Sequence, residues 1–190
     1  MNPTDMITVE ALDGEGAAET EQDVRTVYAE VFAEPPYNET ADDVADTFRR
    51  FRSQTRKGTF RGALARAEDG EPVGMAFGYP LSAKTGWWGH LIDPVSEEMQ
   101  REDGQRTFGL MEMAVRAPWQ RHGVARRLHE ALLAGGYEER SLLNVHPSSE
   151  AAQAAYRSWG YRKVGEARPW DGAEVHDVLL LDLRSVPQEK

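Results

Sequence analysis

The sequence predicts a single mixed α/β domain, and three observations carry that prediction. Strand-like and helix-like runs alternate along 190 residues, a length that suits one domain with a core of its own. No linker, internal repeat or low-complexity tract interrupts them. At the centre, the apolar run from Phe108 to Val115 turns through Ala117-Pro118-Trp119 into Gln120-Arg121-His122-Gly123-Val124-Ala125. It continues as a helix with Val124, Leu128 and Leu132 on one face. A strand that feeds a helix through a Gly-containing turn leaves the first N–H groups of that helix unpaired. Those donors and the helix dipole together favour an anion.

Met6 to Leu12 (MITVEAL) has the β-branched pattern of a first strand, which Gly14 and Gly16 break. From Thr20 the pattern is helical, with Val24, Val27, Tyr28, Val31 and Phe32 at three- and four-residue steps and Thr20 as N-cap. Pro35-Pro36 ends that helix. A second follows Thr40, with Val44, Phe48 and Phe51 inward, and stops at Gly58. Phe60 to Ala67 and Pro72 to Pro80 are strands joined around Asp69-Gly70, a hairpin signal. Residues 82–106 have no sustained pattern beyond one short helix around Val95 to Arg101. Segments of that length inside a domain are functional or disordered. After the central strand–turn–helix, closed by Gly135-Gly136, come a strand from Ser141 to Val145 and a helix opened by Pro147-Ser148-Ser149. Gly160 is the C′ residue of that helix, and strands follow at Tyr161 to Ala167 and Val175 to Leu183. Arg184 to Lys190 reads as a frayed tail.

Composition narrows the function. With 40% hydrophobic and 28% charged residues the chain is globular rather than disordered. No apolar run approaches the roughly 18–20 residues that span a bilayer, and the acidic start MNPTDMITVEALDGEG lacks the order of a signal peptide. The expectation is a cytoplasmic protein with no membrane partner. The absence of cysteine excludes disulfides, thiolate metal sites and a cysteine nucleophile, and five scattered histidines have no ligand spacing, so no metal is expected. A net charge of −10 argues against nucleic acid as a partner. It suits a cationic small molecule, or serves solubility alone.

The order of elements, with Gln120-Arg121-His122-Gly123-Val124-Ala125 and the preceding Glu112 to Pro118, resembles the GNAT N-acetyltransferase superfamily, whose acetyl-CoA signature is Q/R-x-x-G-x-G/A. Leu143-Asn144-Val145, Ser149, Ala152, Tyr156, Gly160 and Tyr161 fall at the spacing of that family's second block, about 25 residues downstream. The resemblance runs from about Met6 to Leu183, over the first hundred residues mainly in element order. It implies a central mixed, mostly antiparallel sheet of about seven strands, splayed between the fourth and fifth, with about four flanking helices. It also implies acetyl-CoA as cosubstrate of an N-acetyltransferase that acts on a primary amine by direct attack.

The resemblance further implies residue roles. The CoA pyrophosphate would lie on the N–H groups of Arg121, His122, Gly123, Val124 and Ala125, with Arg126 near the phosphates or merely solvated. The pantetheine arm would run along Met113, Ala114 and Val115. Ser149 stands where the family usually has Asn; it bonds pantetheine or simply caps the helix. Glu112, a carboxylate in an otherwise apolar strand, is the candidate base, or else a paired structural carboxylate; His146 is its rival. Tyr156 is the candidate acid for the departing thiolate, or a core tyrosine. Tyr37, Trp87 and Trp88 wall the acceptor pocket, or form a hydrophobic plug or dimer contact, since homodimers are common in the family. Trp119 and Trp170 read as packing. The acceptor expected first is a small cationic amine, then a peptide or protein amine. A non-catalytic acyl-CoA-binding module is the rival from another class. A dinucleotide-binding Rossmann domain lacks its G-x-G-x-x-G after the first strand.

Overall fold

The computed structural model describes residues 6–184, so the tail expected beyond Arg184 lies outside the described residues. Its strands are β1 (Thr8–Leu12), β2 (Arg61–Arg66), β3 (Pro72–Pro80), β4 (Thr107–Val115), β5 (Arg140–Val145), β6 (Arg162–Ala167) and β7 (His176–Asp182). The helices are α1 (Gly14–Glu19), α2 (Glu21–Phe32), α3 (Ala41–Gln54), α4 (Glu97–Gln100), α5 (Val124–Leu133) and α6 (Glu150–Ser158). The seven strands form a mixed sheet in the order β1-β2-β3-β4-β5-β7-β6. The chain divides into two compact units, Met1–Tyr79 with Met111–Gly135, and Pro80–Leu110 with Gly136–Lys190.

In the first unit β1, β2 and β3 pair antiparallel, and Gly70, at φ +86°, turns the β2–β3 hairpin. α2 buries Val24, Val27, Tyr28 and Phe32, and α3 buries Val44, Thr47, Phe48 and Phe51. Rings supply much of this core: Phe51 meets Phe77 edge-on with centroids 5.0 Å apart, and Tyr28 meets Phe48 at 5.5 Å. A complete capping box starts α3. Thr40 accepts from the Asp43 N–H while the Asp43 carboxylate accepts from the Thr40 N–H at 2.8 Å.

Two local devices differ from the sequence expectation. Gly14 and Gly16 do not simply break the chain; they lie within α1, whose N-cap Asp13 accepts from the Gly16 N–H at 2.8 Å. A Cβ on Gly14 would collide with the Thr55 carbonyl oxygen, so the glycine lets α1 start against the end of α3. Thr20 is the N-cap of α2, yet its hydroxyl donates back to Gly16 O at 2.8 Å, serving the end of α1. α5 lies against β1 and β2. A Cβ on Gly74 would come within 3.0 Å of Leu128 and 3.2 Å of Val124, so a glycine in β3 gives α5 its close seat.

In the second unit the parallel β4–β5 ladder has three pairs, Thr107 with Arg140, Phe108 with Ser141 and Gly109 with Leu142. β5 then pairs with β7 along its length, and β7 with β6, both antiparallel. The patternless segment 82–106 is ordered by two arginines. Arg140 donates to Thr107 Oγ1 at 2.8 Å, Met99 O at 2.7 Å and Glu102 Oε1 at 2.8 Å. Arg106 donates to the carbonyls of Glu98 at 2.7 Å and Arg101 at 2.8 Å. The Arg140 and Glu102 side chains are 7% and 1% exposed, a buried ion pair whose remaining Arg140 donors are met by a hydroxyl, a backbone carbonyl and the Met99 sulfur. The short helix expected around Val95 to Arg101 is α4.

Candidate active site

The end of β4 fixes where α5 begins. The Arg116 N–H donates to Val73 O at 2.9 Å, and its guanidinium donates to Glu30 at 2.7 Å, Glu71 at 2.6 Å and Pro72 O at 3.1 Å while lying over the Trp119 ring. Gln120 Nε2 reaches back to Val115 O at 2.8 Å and closes the turn. Arg121 then takes the left-handed conformation at φ +64°, unusual for a residue with a Cβ, and Gly123 takes it again at φ +76°. Gly123 is the N-cap of α5 and offers no side chain to cap it. A Cβ built on Gly123 meets nothing within 4 Å, so there is open space at this corner. Two left-handed residues, Arg121 and Gly123, precede a ten-residue helix with no side-chain cap, the kind of helix start that favours an anion. Arg121 is exposed, and Arg126, also exposed, pairs with Glu130 at 3.0 Å one turn on. Arg127 instead donates to Ile7 O at 2.8 Å and ties α5 to the start of the chain. Met113, Ala114 and Val115 lie on the last turn of β4 before this corner, the latter two buried.

Glu112 is one residue upstream on β4. Burial pushes its carboxyl pKa up to about 8, with the Glu39 charge raising it further and Arg50 opposing. The first unit also holds a polar cluster inside its aromatic core, whose charges act on Glu112. Tyr28 Oη donates to Glu39 Oε1 at 2.9 Å and lies 3.4 Å from Thr47 Oγ1, which accepts from Arg50 at 3.1 Å. The Tyr28 phenol is held far above the usual tyrosine range by burial and by Glu112, and the Glu39 carboxyl is raised by burial. The Glu112 side chain forms no ion pair or hydrogen bond with any described residue. Tyr37 is half-buried, its ring 4.7 Å from that of Phe32.

In the second unit, Tyr156 is 8% exposed and sits edge-on to Trp159 and Tyr161, each 5.5 Å away between centroids. Ser149 is the N-cap of α6, though its hydroxyl makes no capping bond there. Trp88 is buried beneath the Arg140 guanidinium, 5.3 Å from its ring, while Trp87 is half-buried on the same turn, Trp87–His90. The indole nitrogens of both are buried without a hydrogen-bond partner among the described residues. Trp170 is 60% exposed, so it is not the packing residue expected. His146 accepts the Ser148 N–H on Nδ1 at 3.1 Å, and its Nε2 meets Glu174. A neutral ring that accepts at Nδ1 carries its hydrogen on Nε2 and donates it to Glu174, which leaves no nitrogen for a substrate proton. His146 is thus poorly placed as a base.

Sequence reading missed Glu39, Arg50 and Tyr28 as neighbours of Glu112, and the turn-closing Gln120. Tyr28 carried only a core signal, and Glu39 lies in a loop without periodicity. Among the described residues no group of three or more His, Asp or Glu is arranged to hold a metal, and no helix is long and apolar enough to cross a membrane.

Comparison with known proteins gives the same picture of the fold. Residues 22–161 match the model of the acetyltransferase (GNAT) family. Among solved structures the chain is similar to PH1933 from Pyrococcus horikoshii, at 16% identity and a TM-score of 0.64, over 93% of this chain and 98% of that one. It is also similar to the ribosomal-protein-S18-alanine N-acetyltransferase from Escherichia coli, at 18% identity and a TM-score of 0.60, over 97% and 99%. A third likeness is to the PaiA N-acetyltransferase from Thermoplasma acidophilum in complex with coenzyme A, at 10% identity and a TM-score of 0.58, over 93% and 98%. No curated protein matches the chain.

Proposed function

The chain belongs to the acetyltransferase (GNAT) family and is an N-acetyltransferase with acetyl-CoA as its cosubstrate, and from that premise we propose that its acceptor is a primary amine on a small cationic molecule. The observation that carries the chemistry is Glu112, a carboxyl on the strand leading to the cofactor corner, with a pKa near 8 and no structural partner. An alkylammonium ion titrates near 10.4 and must lose a proton before it attacks. An ordinary carboxylate is about six units too weak to take that proton readily; one near 8 is within about two to three units.

In the proposed reaction the ammonium gives a proton to Glu112 and the freed nitrogen attacks the thioester carbonyl carbon. The carbon–sulfur bond breaks and the thiolate takes the Tyr156 hydroxyl proton; the nitrogen's second surplus proton returns through solvent to the Tyr156 phenolate, so an amide and CoA leave and the phenol is restored. Arg121, His122, Gly123, Val124 and Ala125 hold the pyrophosphate through their N–H groups, with Arg126 beside it and Ser149 toward the pantetheine. Met113, Ala114 and Val115 offer the pantetheine a strand. Tyr37 and Trp87 line the acceptor. Trp88 is the weakest member of that set, because its ring is already covered by Arg140. The net charge of −10 supports a cationic acceptor. A peptide or protein amine is the second reading.

The test is acetyl-CoA consumption across a panel of polyamines, amino sugars, amino acids and peptides with free N-termini. The expected result is turnover concentrated among amines with a second positive charge. Turnover confined to the peptides moves the acceptor to the second reading. Saturating acetyl-CoA that neither turns over nor raises the melting temperature sinks the cofactor assignment to Arg121–Ala125.

A further inference from the structure

Arg116 stands between β4 and the corner that opens α5, and its partners belong to the same compact unit. Its guanidinium draws separate pieces of chain together. Nε donates to Glu30 on α2 at 2.7 Å, and Nη1 donates to Glu71 at 2.6 Å and to Pro72 O, at the start of β3, at 3.1 Å. The cation also lies over the Trp119 ring, 5.3 Å from its centroid. The Arg116 side chain is 16% exposed, whereas those of Glu30 and Glu71 are 46% and 41% exposed. A single exposed ion pair contributes little. A planar guanidinium held by two carboxylates, a carbonyl and an indole has its orientation over-determined.

The turn beside it has little other anchorage. Ala117, Pro118 and Gln120 are exposed, and Trp119 is half-buried. The main chain forms one short turn there, with the Trp119 N–H donating to Arg116 O at 2.9 Å and Gln120 Nε2 donating to Val115 O at 2.8 Å. Arg121 and Gly123 follow in left-handed conformations, at φ +64° and +76°. Where α5 begins therefore depends on where Trp119 sits, and Trp119 sits against Arg116.

We propose that Arg116 is a positioning residue for the acetyl-CoA pyrophosphate: braced by Glu30 and Glu71, it pins Trp119 and so holds the turn that presents the N–H groups at the start of α5. The inference rests on the reading of Arg121–Ala125 as the pyrophosphate seat. Arg116 acts through the turn and not on the phosphates, since its donors at Nε and Nη1 are taken by carboxylates. Lysine in its place keeps the charge but has neither the planar fork nor the face that lies on the indole.

The experiment is calorimetric titration with CoA and with its nucleotide half, adenosine 3′-phosphate 5′-diphosphate, which keeps the pyrophosphate and lacks the pantetheine arm. Arg116→Met keeps most of the side-chain stem and removes the guanidinium. It is expected to weaken both ligands by roughly tenfold or more, the effect of losing one hydrogen bond to a charged group. Arg116→Lys recovers only part of that affinity. The control is Arg66→Met. Arg66 also joins separate pieces of this unit, donating to Asp23 at 2.7 Å, Gly70 O at 3.1 Å and Glu10 at 3.4 Å, and none of these partners is in the turn. Its variant should lower the melting temperature as Arg116→Met does and leave both affinities at the wild-type value. If Arg116→Met does not fold by circular dichroism, Trp119→Leu, which takes away the ring and leaves the ion pairs, should show the same loss of affinity. Unchanged affinity in the folded variants, or an equal loss in Arg66→Met, overturns the proposal. Wild type that binds CoA but not the nucleotide half removes the pyrophosphate seat itself, and the proposal with it, so the two failures are told apart.

Discussion

Tyr156 donates the proton to the leaving thiolate in the proposed reaction. It is 8% exposed and lies edge-on to the rings of Trp159 and Tyr161. Removing the hydroxyl leaves the ring contacts in place. Tyr156→Phe is expected to lower kcat by about 10²-fold or more, the usual size of a general-acid contribution, with little change in the acetyl-CoA Kd. Steady-state kinetics beside calorimetric titration checks it, and unchanged kcat makes Tyr156 a core residue. At this scale the sequence was legible where a residue broke its own local pattern. Glu112 stood out because a carboxylate interrupts an apolar strand, and Gly123 because a glycine opens a helix. Glu39 did not, since a loop glutamate looks solvated until the Tyr28 hydroxyl is seen to hold it inside. The Arg140 guanidinium over the Trp88 ring was hidden from sequence reading, because it lies 52 positions later in the chain.

Among elements, the strand–turn–helix from β4 to α5 was the most legible, because its signals are local: an apolar run, a proline turn, a glycine and then a 3.6-residue period. α1 was not. Glycines at positions 14 and 16 are normally breakers, and the reason Gly14 stands in a helix is the Thr55 carbonyl, a contact made across forty residues of chain. The ordering of 82–106 was equally hidden, because Arg140, which binds Met99 O and Glu102, lies beyond the segment in sequence. The two ends of α5 permit a paired experiment. Gly123 and Gly135 have left-handed φ of +76° and +73°, and a Cβ on either meets nothing within 4 Å. Gly123→Ala and Gly135→Ala should each destabilise the protein by about 1–2 kcal/mol, the strain of a Cβ in that conformation. Only Gly123→Ala should also weaken acetyl-CoA, by roughly tenfold if relief of the strain turns one phosphate-facing N–H away. Thermal melts and titration calorimetry separate the two. Equal loss of affinity in both variants places the cofactor elsewhere than on the start of α5.

For the molecule as a whole, two titratable groups shape stability against pH with opposite signs. His129, on α5 and 6% exposed, is held neutral by burial, its pKa lowered to about 4 from an ordinary 6.5. Between those values the unfolded chain binds a proton that the folded chain refuses, so stability rises with pH from about 4 to about 6.5 and is flat above. Glu112 does the reverse. Its folded pKa of about 8 exceeds the ordinary 4.5, so the folded chain holds a proton the unfolded chain has lost. Its contribution is complete below about 4.5 and declines until pH passes about 8. Over the shared window, from about 4.5 to 6.5, the two slopes oppose each other; above it only Glu112 remains. From pH 6.5 to 8 it costs up to roughly 2 kcal/mol, at about 1.4 kcal/mol per unit. Chemical denaturation followed by circular dichroism at half-unit steps should therefore show a plateau on the acidic side of neutrality and a decline from pH 6.5 to 8. In Glu112→Gln, where no proton is left to lose, that alkaline decline disappears while the His129 slope below pH 6.5 stands alone and steeper. A decline from pH 6.5 to 8 that survives in Glu112→Gln assigns it to another group and removes the raised proton affinity on which the proposed base depends.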